Sequence, residues 1–214
     1  MGAMPRVVLA SKSPARLATL RSAGVEPVVR DAGVDESLVT THDTRSRVLE
    51  LAQLKGEAAL RLLLGDATLA PTRGDSTVLL AADTMLEFDG EAHGKPGSAA
   101  EARRRLAQLS GGVGTLFTGH FVAVLRADAA PATDLRAAST IVRFATMDDA
   151  EMDAYAASGE PTQVAGSFTI DGLGGPFIAG LDGDPHNVVG LSLPLLRLML
   201  ADLGVAWPSL WSRA

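Results

Sequence analysis

Residues 7–16 read Val-Val-Leu-Ala-Ser-Lys-Ser-Pro-Ala-Arg, an apolar run followed at once by hydroxyl and cationic side chains. The apolar run, residues 7–10, predicts a buried first strand. A helix is expected over residues 14–23, because Ser13 is a suitable N-cap and proline suits the first helical position. A strand that leads straight into a helix indicates an α/β fold.

The junction between this strand and this helix, residues 11–16, gathers two serines, a lysine and an arginine. The first turn of a helix presents unpaired N–H groups and a partial positive charge, which together favour anions. Ser11 and Ser13 would add hydroxyl donors, and Lys12 and Arg16 would add full charges. Taken by itself, the segment fits a phosphate-binding site, and a capped helix with two solvated cations explains it at least as well.

The rest of the chain shows alternating strand and helix patterns, with no repeat and no convincing linker between domains. Strands are predicted at residues 25–29, 77–82, 116–125 and 138–144, and a hairpin is predicted from residues 84–88 and 91–92. Helices are predicted at residues 44–64, 98–109, 148–157 and 191–203. The last two strands are expected to pair across a turn region at 128–134, and 166–190 to be glycine-rich and irregular. Ser98 and Glu101 are spaced as a capping box. We therefore expect one domain with two lobes.

Composition narrows the classes of protein and partner. The 214 residues include no cysteine, which excludes a disulfide framework and a thiol nucleophile. The formal net charge of −6 argues against a nucleic-acid polymer as partner. No apolar run is long enough for a bilayer and no secretory signal is visible, so we expect a cytoplasmic protein without a membrane partner. Residues 1–3 are expected to be a cloning remnant or an alternative start.

Two charged side chains interrupt apolar patterns. Lys55 falls on the apolar face of the predicted helix 44–64, four residues after Leu51, so it either snorkels to solvent or meets an anionic partner. Asp83 directly follows the most apolar predicted strand, residues 78–82. A carboxylate at such a strand end can line a cleft, hold a metal or activate water, and it can equally cap the next turn.

Three further features are weaker when taken singly. Lys95, within Gly94-Lys95-Pro96, would place a cation on a loop, although the spacing of a P-loop is absent. Glu36 is either a metal ligand or a solvated loop acid. The glycine-rich stretch 166–175 either lets the backbone approach a base or ribose, or forms an irregular surface loop.

Taken in order, six blocks of the chain resemble the signature blocks of the Maf family of nucleotide pyrophosphatases. Ser11-Lys12-Ser13-Pro14-Ala15-Arg16 matches the family's Ser-x-Ser-Pro-x-Arg after a strand. Leu51-Ala52-Gln53-Leu54-Lys55-Gly56 matches its leucine-alanine-x-x-lysine-alanine helix, with Gly56 in place of the usual alanine. The other four blocks are Ala82-Asp83-Thr84, Gly94-Lys95-Pro96, residues 165–174 and residues 187–194.

The resemblance covers almost the whole chain. It implies an α/β fold with a mixed, elongated sheet, flanking helices and two lobes around a cleft, similar to that of inosine triphosphate pyrophosphatases. It also implies hydrolysis of nucleoside triphosphates, standard or modified, to monophosphate and pyrophosphate. Because family members need a divalent cation and are often dimers, it implies a nucleotide substrate, Mg²⁺ or Mn²⁺ as cofactor, and a homodimer.

Carried over residue by residue, the resemblance implies a role for each matching position. Asp83 matches the family's proton acceptor, and Glu36 matches an acid placed near the metal. Its phosphate-facing positions fall at Ser11, Arg16, Lys55 and Lys95, with Ser13 in the same substrate-binding segment. The three positions that sort its substrate classes fall at Ala15, Thr84 and Asp171. This Ala-Thr-Asp set matches neither the Arg-Thr-Gln set of the dTTP/UTP class nor the Trp-Gln-Glu set of the methylated-GTP class.

The hypothesis that follows is attack by water on the α-phosphorus, with Asp83 taking the proton and with Asp83 and Glu36 holding the metal. Lys55, Lys95 and Arg16 would stabilise charge on the leaving pyrophosphate. Asp171 would accept hydrogen bonds from the base, which tilts weakly toward guanine or cytosine. Two alternatives stay open: a nucleotide-binding regulator of septum formation with little turnover, and a phosphohydrolase of another phosphorylated metabolite.

Overall fold

The computed structural model describes residues 4–212, which contain one mixed, seven-stranded sheet with flanking helices. The strands are β1 (Arg6–Leu9), β2 (Val28–Val29), β3 (Ser76–Phe88), β4 (Glu91–His93), β5 (Val113–Arg126), β6 (Ala129–Phe144) and β7 (Ile178–Asp182). The helices are α1 (Pro14–Ser22), α2 (Thr44–Leu64), α3 (Ala99–Leu109), α4 (Asp149–Ala157), α5 (Pro185–Val189) and α6 (Leu193–Asp202). The predicted α/β class is confirmed. The expectation for residues 1–3 falls outside the described residues.

The sheet has the strand order β2-β1-β3-β5-β6-β7, and β4 pairs with the far end of β3. β1 runs parallel to β2 and β3, whereas the other strand pairs are antiparallel. β5 pairs with β3 along nearly its whole length. On the other side of β3, pairing with β1 stops at Leu80 and pairing with β4 begins at Leu86. Residues 81–85 therefore form an open edge of β3.

Helices cover both faces of this sheet. α2 packs on the face that includes Leu79, and α1 and α6 pack on the opposite face, which includes Leu80. Farther along the long strands, a third apolar cluster surrounds Leu86, and a fourth, around Leu106, joins α3 to α4. These two groups of clusters, one on each half of the sheet, agree with the expected two lobes. Within residues 4–212, no helix has both the length and the apolar character needed to cross a bilayer.

Two predicted strand boundaries were wrong. β3 is one continuous strand, so Asp83 lies inside it rather than after its end. The β5–β6 hairpin turns at residues 127–128, and most of the predicted turn region 128–134 belongs to β6. The turn-forming side chains of that region are overruled because the long antiparallel ladder pairs the backbone N–H and C=O groups of both strands.

Two further predictions need correction. The stretch 166–190 is not irregular throughout, because it contains β7, which pairs with β6, and the short helix α5. Ser98 caps α3 as expected, but the Glu101 carboxylate accepts hydrogen bonds from Arg104 and Arg105 instead of completing a capping box. The reciprocal capping box is found at the start of α4, between Asp148 and Glu151.

α2 approaches the sheet closely at two glycines. A Cβ atom on Gly119 of β5 would lie 2.2 Å from the carbonyl oxygen of Val48, and one on Gly56 of α2 would lie 2.1 Å from the ring of Phe121. Phe121 is only 4% exposed, so its ring has little room to move. Gly56, which stands where the resembled family block has alanine, thus leaves the space that the Phe121 ring fills.

Gly56→Ala is expected to destabilise the protein, although alanine is the better helix former. The helix-propensity gain is about 1 kcal/mol, and overpacking against Phe121 costs about 1–3 kcal/mol. Gly65→Ala at the end of the same helix is the matched control, since a Cβ there meets nothing closer than 3.6 Å. Urea unfolding should show a loss for the first variant and none for the second, and equal stability of the two would contradict this packing.

His120 is a fully buried polar residue of β5, and its Nε2 accepts a hydrogen bond from the Ser192 backbone N–H at 2.9 Å. Burial, and secondarily the charge of Arg16, lower the pKa of His120 to about 4. As the pH falls below the ordinary histidine pKa of about 6.5, the unfolded chain takes up this proton before the folded one does. The stabilisation is therefore complete above that pH and is lost on acidification toward pH 4.

Between pH 7 and pH 5, this linkage should remove about 2 kcal/mol of stability. His120→Gln keeps an acceptor for the Ser192 N–H but has no titrating group, so its free energy of unfolding should fall less over the same interval. Urea titrations of both proteins at the two pH values measure the difference. Equal losses in the variant and the wild type would show that His120 does not carry this pH dependence.

Candidate active site

The β1–α1 junction folds as a capped helix start. Ser13 is the N-cap of α1, and its hydroxyl accepts from the Arg16 backbone N–H at 3.4 Å. The Ser11 hydroxyl accepts from the Ser13 N–H and from Arg16 Nη1, each at 3.2 Å. Lys12 points away to the surface, where its Nζ lies 2.7 Å from Asp31. Both serines therefore organise the junction, and Lys12 is not part of this cluster.

Arg16 ties the junction to β3 and to the loop after α5. Its Nε donates to the Gly190 carbonyl at 2.8 Å, its Nη1 to the Ala82 carbonyl at 2.9 Å and its Nη2 to Thr84 Oγ1 at 2.9 Å. With the Ser11 contact, four of the roughly five guanidinium N–H donors are engaged within the protein. Burial lowers the pKa of Arg16, while the carboxylates of Asp83 and Glu36 oppose that shift.

The Ala82 contact has a simple origin in the sheet. The Leu80 carbonyl accepts from the Ala10 N–H at 2.8 Å, which is the end of the hydrogen bonding between the β1 segment and β3. The Ala82 carbonyl, two residues farther on, points to the same side but has no strand beside it. Arg16 takes this position and continues the ladder with a side chain.

The Asp83 side chain projects from the face of β3 opposite to that of Thr84, because successive side chains of a strand alternate. There Lys55 of α2 places its Nζ 2.5 Å from Asp83 Oδ1 and 2.8 Å from Glu36 Oε1. Asp83 is 7% exposed, whereas the Glu36 side chain is 56% exposed. Lys55 thus meets an anionic partner, which was one of the two interpretations of its place on the apolar helix face. The cluster opens to solvent at Glu36.

Burial and charge act against each other on Asp83. Burial raises the pKa of this carboxyl, and the positive charges of Lys55 and Arg16 oppose the increase without cancelling it. A carboxyl whose pKa is raised is a stronger base than an ordinary surface aspartate. The arrangement therefore supplies a buried, partly neutralised base beside an ammonium group.

Asp83 and Glu36 are candidate ligands for a divalent cation. Residues 4–212 hold no group of three or more histidine, cysteine, aspartate or glutamate side chains placed to bind a metal. Asp83 and Glu36, however, both reach the one ammonium of Lys55, so a single cation position lies within reach of two carboxylates. This fits Mg²⁺, which is often bound by one or two carboxylates together with substrate phosphates.

The remaining predicted site residues are not gathered into this cluster. Lys95 and Asp171 are exposed on loops that belong to the other half of the sheet, and neither has a polar side-chain partner within residues 4–212. Gly94, next to Lys95, accepts from Arg105 and from the Gly166 N–H, which fixes that loop to α3. Ala15 lies half-buried in the first turn of α1.

Sequence patterns did not predict the hydrogen bonds that connect Thr84 to Thr118 and Asn187. Its hydroxyl lies 3.1 Å from Thr118 Oγ1, and Thr118 donates to the Asn187 carbonyl at 3.0 Å. The buried Asn187 side chain in turn donates to the Leu116 carbonyl and to Thr140. A polar Thr118 inside an apolar strand was a signal, but only the β3–β5 register, which pairs it with Thr84, reveals its partner.

Lys55→Met keeps most of the side chain's length and removes its charge. Because the buried Asp83 then loses its cation, the free energy of unfolding at pH 7 should fall by about 3 kcal/mol. Adding Asp83→Asn removes the uncompensated charge, so the double variant should regain part of this loss. Urea titrations of the wild type, both single variants and the double variant measure the coupling, and additive effects would contradict the ion pair.

Comparison with known proteins places this chain in a family. The family model described as Maf-like protein matches residues 6–203. A protein of Cutibacterium acnes (strain DSM 16379 / KPA171202) is 48% identical over 205 residues, covering 96% of this chain and 94% of its own length. A protein of Salinispora tropica is 48% identical over 214 residues, covering 99% of this chain and 90% of its own length. Both relatives bear the name nucleoside triphosphate pyrophosphatase.

Among solved structures, a HAM1 protein from Coxiella burnetii aligns with a TM-score of 0.35 and 16% identity, over 67% of this chain and 75% of that one. A likeness of this size adds nothing to the assignment. The family match spans most of the chain, and the sequence relatives align over nearly their whole length. The chain belongs to the Maf family.

Proposed function

We propose that this Maf protein is a metal-dependent hydrolase that converts nucleoside triphosphates, standard or modified, to monophosphate and pyrophosphate. The observation that carries the proposal is the Lys55 ammonium held between buried Asp83 and exposed Glu36, at the open edge of β3. The name shared by the curated relatives supports the same reaction. A homodimer and a cytoplasmic location stay predictions.

Asp83 is the proposed general base. Its buried position at the open edge of β3 suits it to take a proton from an attacking water. The water oxygen forms a bond to the α-phosphorus while the bond from that phosphorus to the α–β bridging oxygen breaks. Pyrophosphate leaves with the bonding electron pair, and the water's proton stays on Asp83.

Cationic side chains would supply most of the remaining catalysis, because phosphoryl transfer depends mainly on positioning and electrostatics. Lys55 lies next to the base, and exposed Lys95 is free of polar side-chain partners in the described chain, so both are proposed to meet phosphate oxygens. Arg16 is proposed to contribute its charge and its remaining N–H, since its other donors hold β3 and Gly190. Ser11 and Ser13 are proposed to border the same phosphate site.

Asp83 and Glu36 are the proposed holders of the divalent cation, Mg²⁺ or Mn²⁺. Bound there, the cation would neutralise phosphate oxygens as negative charge moves to the leaving group. Lys55, which contacts both carboxylates in this structure, would then be displaced toward the phosphates.

The nucleobase of the substrate is proposed to lie near Asp171 and Ala15. Exposed Asp171 can accept hydrogen bonds from base N–H groups, and Ala15 leaves space where a larger side chain would stand. Thr84 is proposed to act indirectly, because its hydroxyl is already engaged by Arg16 and Thr118. This combination favours bases that offer donors, such as guanine or cytosine.

The proposal is tested by product analysis with purified protein, a panel of standard and modified triphosphates, and Mg²⁺ or Mn²⁺. We expect metal-dependent release of monophosphate and pyrophosphate, and Asp83→Asn should lower kcat at least about 100-fold while nucleotide binding is retained. Asp128→Asn, at the exposed β5–β6 turn, is the matched control and should keep full activity.

Two outcomes would contradict the proposal. Tight nucleotide binding without turnover of any triphosphate would favour the regulator of septum formation. Release of orthophosphate from another phosphorylated metabolite, without pyrophosphate from nucleotides, would favour the phosphohydrolase.

A further inference from the structure

A second cluster of polar groups converges on Glu160, which lies in a 3₁₀ turn after α4. Its carboxylate accepts from Thr169 Oγ1 at 2.6 Å and from the Tyr155 hydroxyl at 3.0 Å. It also accepts from the backbone N–H groups of Leu173 at 3.0 Å and Gly174 at 3.1 Å. Four donors from one short stretch of chain and one neighbouring helix thus meet a single side chain.

The glycines of this stretch are explained by the same carboxylate. A Cβ atom on Gly172 would lie 2.4 Å from Glu160 Oε2, and one on Gly174 would lie 2.4 Å from the Tyr155 hydroxyl. Sequence patterns suggested that these glycines let the backbone approach a base or ribose. In the structure the backbone at Gly172 and Gly174 approaches Glu160 and Tyr155, and the approach to a base or ribose stays a prediction.

Glu160 fixes both ends of the loop formed by residues 169–174. At one end, it binds the Thr169 side chain, and the Thr169 N–H donates to the Tyr155 hydroxyl at 3.2 Å. At the other end, it binds two consecutive backbone N–H groups. Asp171 lies between these anchors with its side chain exposed. The position of Asp171 is therefore set by the half-buried side chain of Glu160.

Only a carboxylate satisfies all four donors. Oε1 accepts from Thr169, Tyr155 and the Gly174 N–H, and Oε2 accepts from the Leu173 N–H. A glutamine would place its amide N–H₂ group at one of these two positions, so at least one backbone N–H would face another donor. Burial raises the pKa of Glu160, but the hydrogen bonds from Thr169, the Leu173 N–H, Tyr155 and the Gly174 N–H outweigh this effect, so the pKa is lowered overall. The group is ionised at neutral pH.

We propose that Glu160 is a positioning residue for nucleotide selectivity: it holds the loop 169–174 so that Asp171 meets the nucleobase in one orientation. The inference rests on the proposed function, because it takes the contact between Asp171 and the base from there. It adds that selectivity among triphosphates depends on a carboxylate beneath the loop as well as on the exposed residue that touches the base.

The test is Glu160→Gln, assayed for kcat and KM with each member of a panel of nucleoside triphosphates. We expect kcat for the preferred nucleotide to stay within about threefold and its KM to rise about tenfold. The variant should bind the nucleobase less well, while the general base Asp83 and its neighbour Lys55 are unchanged. The ratio of kcat/KM between the preferred and the poorest nucleotide should fall toward one. A merely structural role would lower Tm and leave this ranking unchanged.

Two further variants sharpen the result. Asp171→Ala should lose the same selectivity, and the double variant Glu160→Gln/Asp171→Ala should lose no more, because both changes remove one coupled contact. Glu151→Gln is the matched control: this carboxylate also accepts a backbone N–H, at the start of α4, but holds no part of the loop. It should change stability alone. If Glu160→Gln fails to fold, Tyr155→Phe replaces it, since that change removes one donor to Glu160 and the acceptor for the Thr169 N–H.

An unchanged nucleotide ranking in Glu160→Gln, or in Tyr155→Phe where that substitute is needed, would overturn the inference. A wild-type protein that turns over no triphosphate would instead contradict the proposed function. In that case the ranking is measured as binding of the same nucleotides, and an unchanged ranking again decides against Glu160.

Discussion

β3 continues beyond the end of β1, and the site depends on this difference in length. Up to Leu80 the strand has neighbours on both sides, and from Leu86 it has them again. Between these points one edge is open, and its backbone groups need partners other than a strand. Arg16 supplies one by binding the Ala82 carbonyl, so the helix that follows β1 is fastened where β1 itself stops.

The alternation of side chains along this open edge separates two kinds of chemistry. Asp83 points toward α2 and meets Lys55 and Glu36, whereas Thr84 points toward α1 and joins the Arg16 and Thr118 hydrogen bonds. One face therefore holds a base with its cation, and the other holds the framework that keeps the strand in place. A shift of the register by one residue would exchange the two faces.

The sequence predicts the helices well and the connections between distant residues poorly. The helix predicted at about residues 44–64 is confirmed as α2, because a periodic apolar face and a terminal glycine agree. Asp83 was placed after a strand because an acid inside a buried strand is rare. Its true position depends on pairing with β5, which a single sequence does not reveal. The apolar pattern indicates that Lys55 is unusual, but which anions it meets depends on how α2 lies on the sheet.

Glu160 shows the same limit from another direction. Its partners are close along the chain, at residues 155 and 169–174. The segment between them has no helical or strand periodicity from which these contacts could be predicted. The glycines indicated a close approach, and the structure shows protein side chains at Gly172 and Gly174. A missing Cβ shows that something is near without showing what. The fit of Gly56 to Phe121 was hidden for the same reason.

A crystal structure with Mg²⁺ and a triphosphate analogue whose α–β bridge cannot be hydrolysed tests the central claim most directly. The account predicts that the α-phosphate lies beside Asp83 and Lys55, on the α2 side of the open edge of β3, with the cation shared by Asp83 and Glu36. A triphosphate bound elsewhere, with the Lys55–Asp83 contact intact and solvent between that pair and every phosphate, would contradict it.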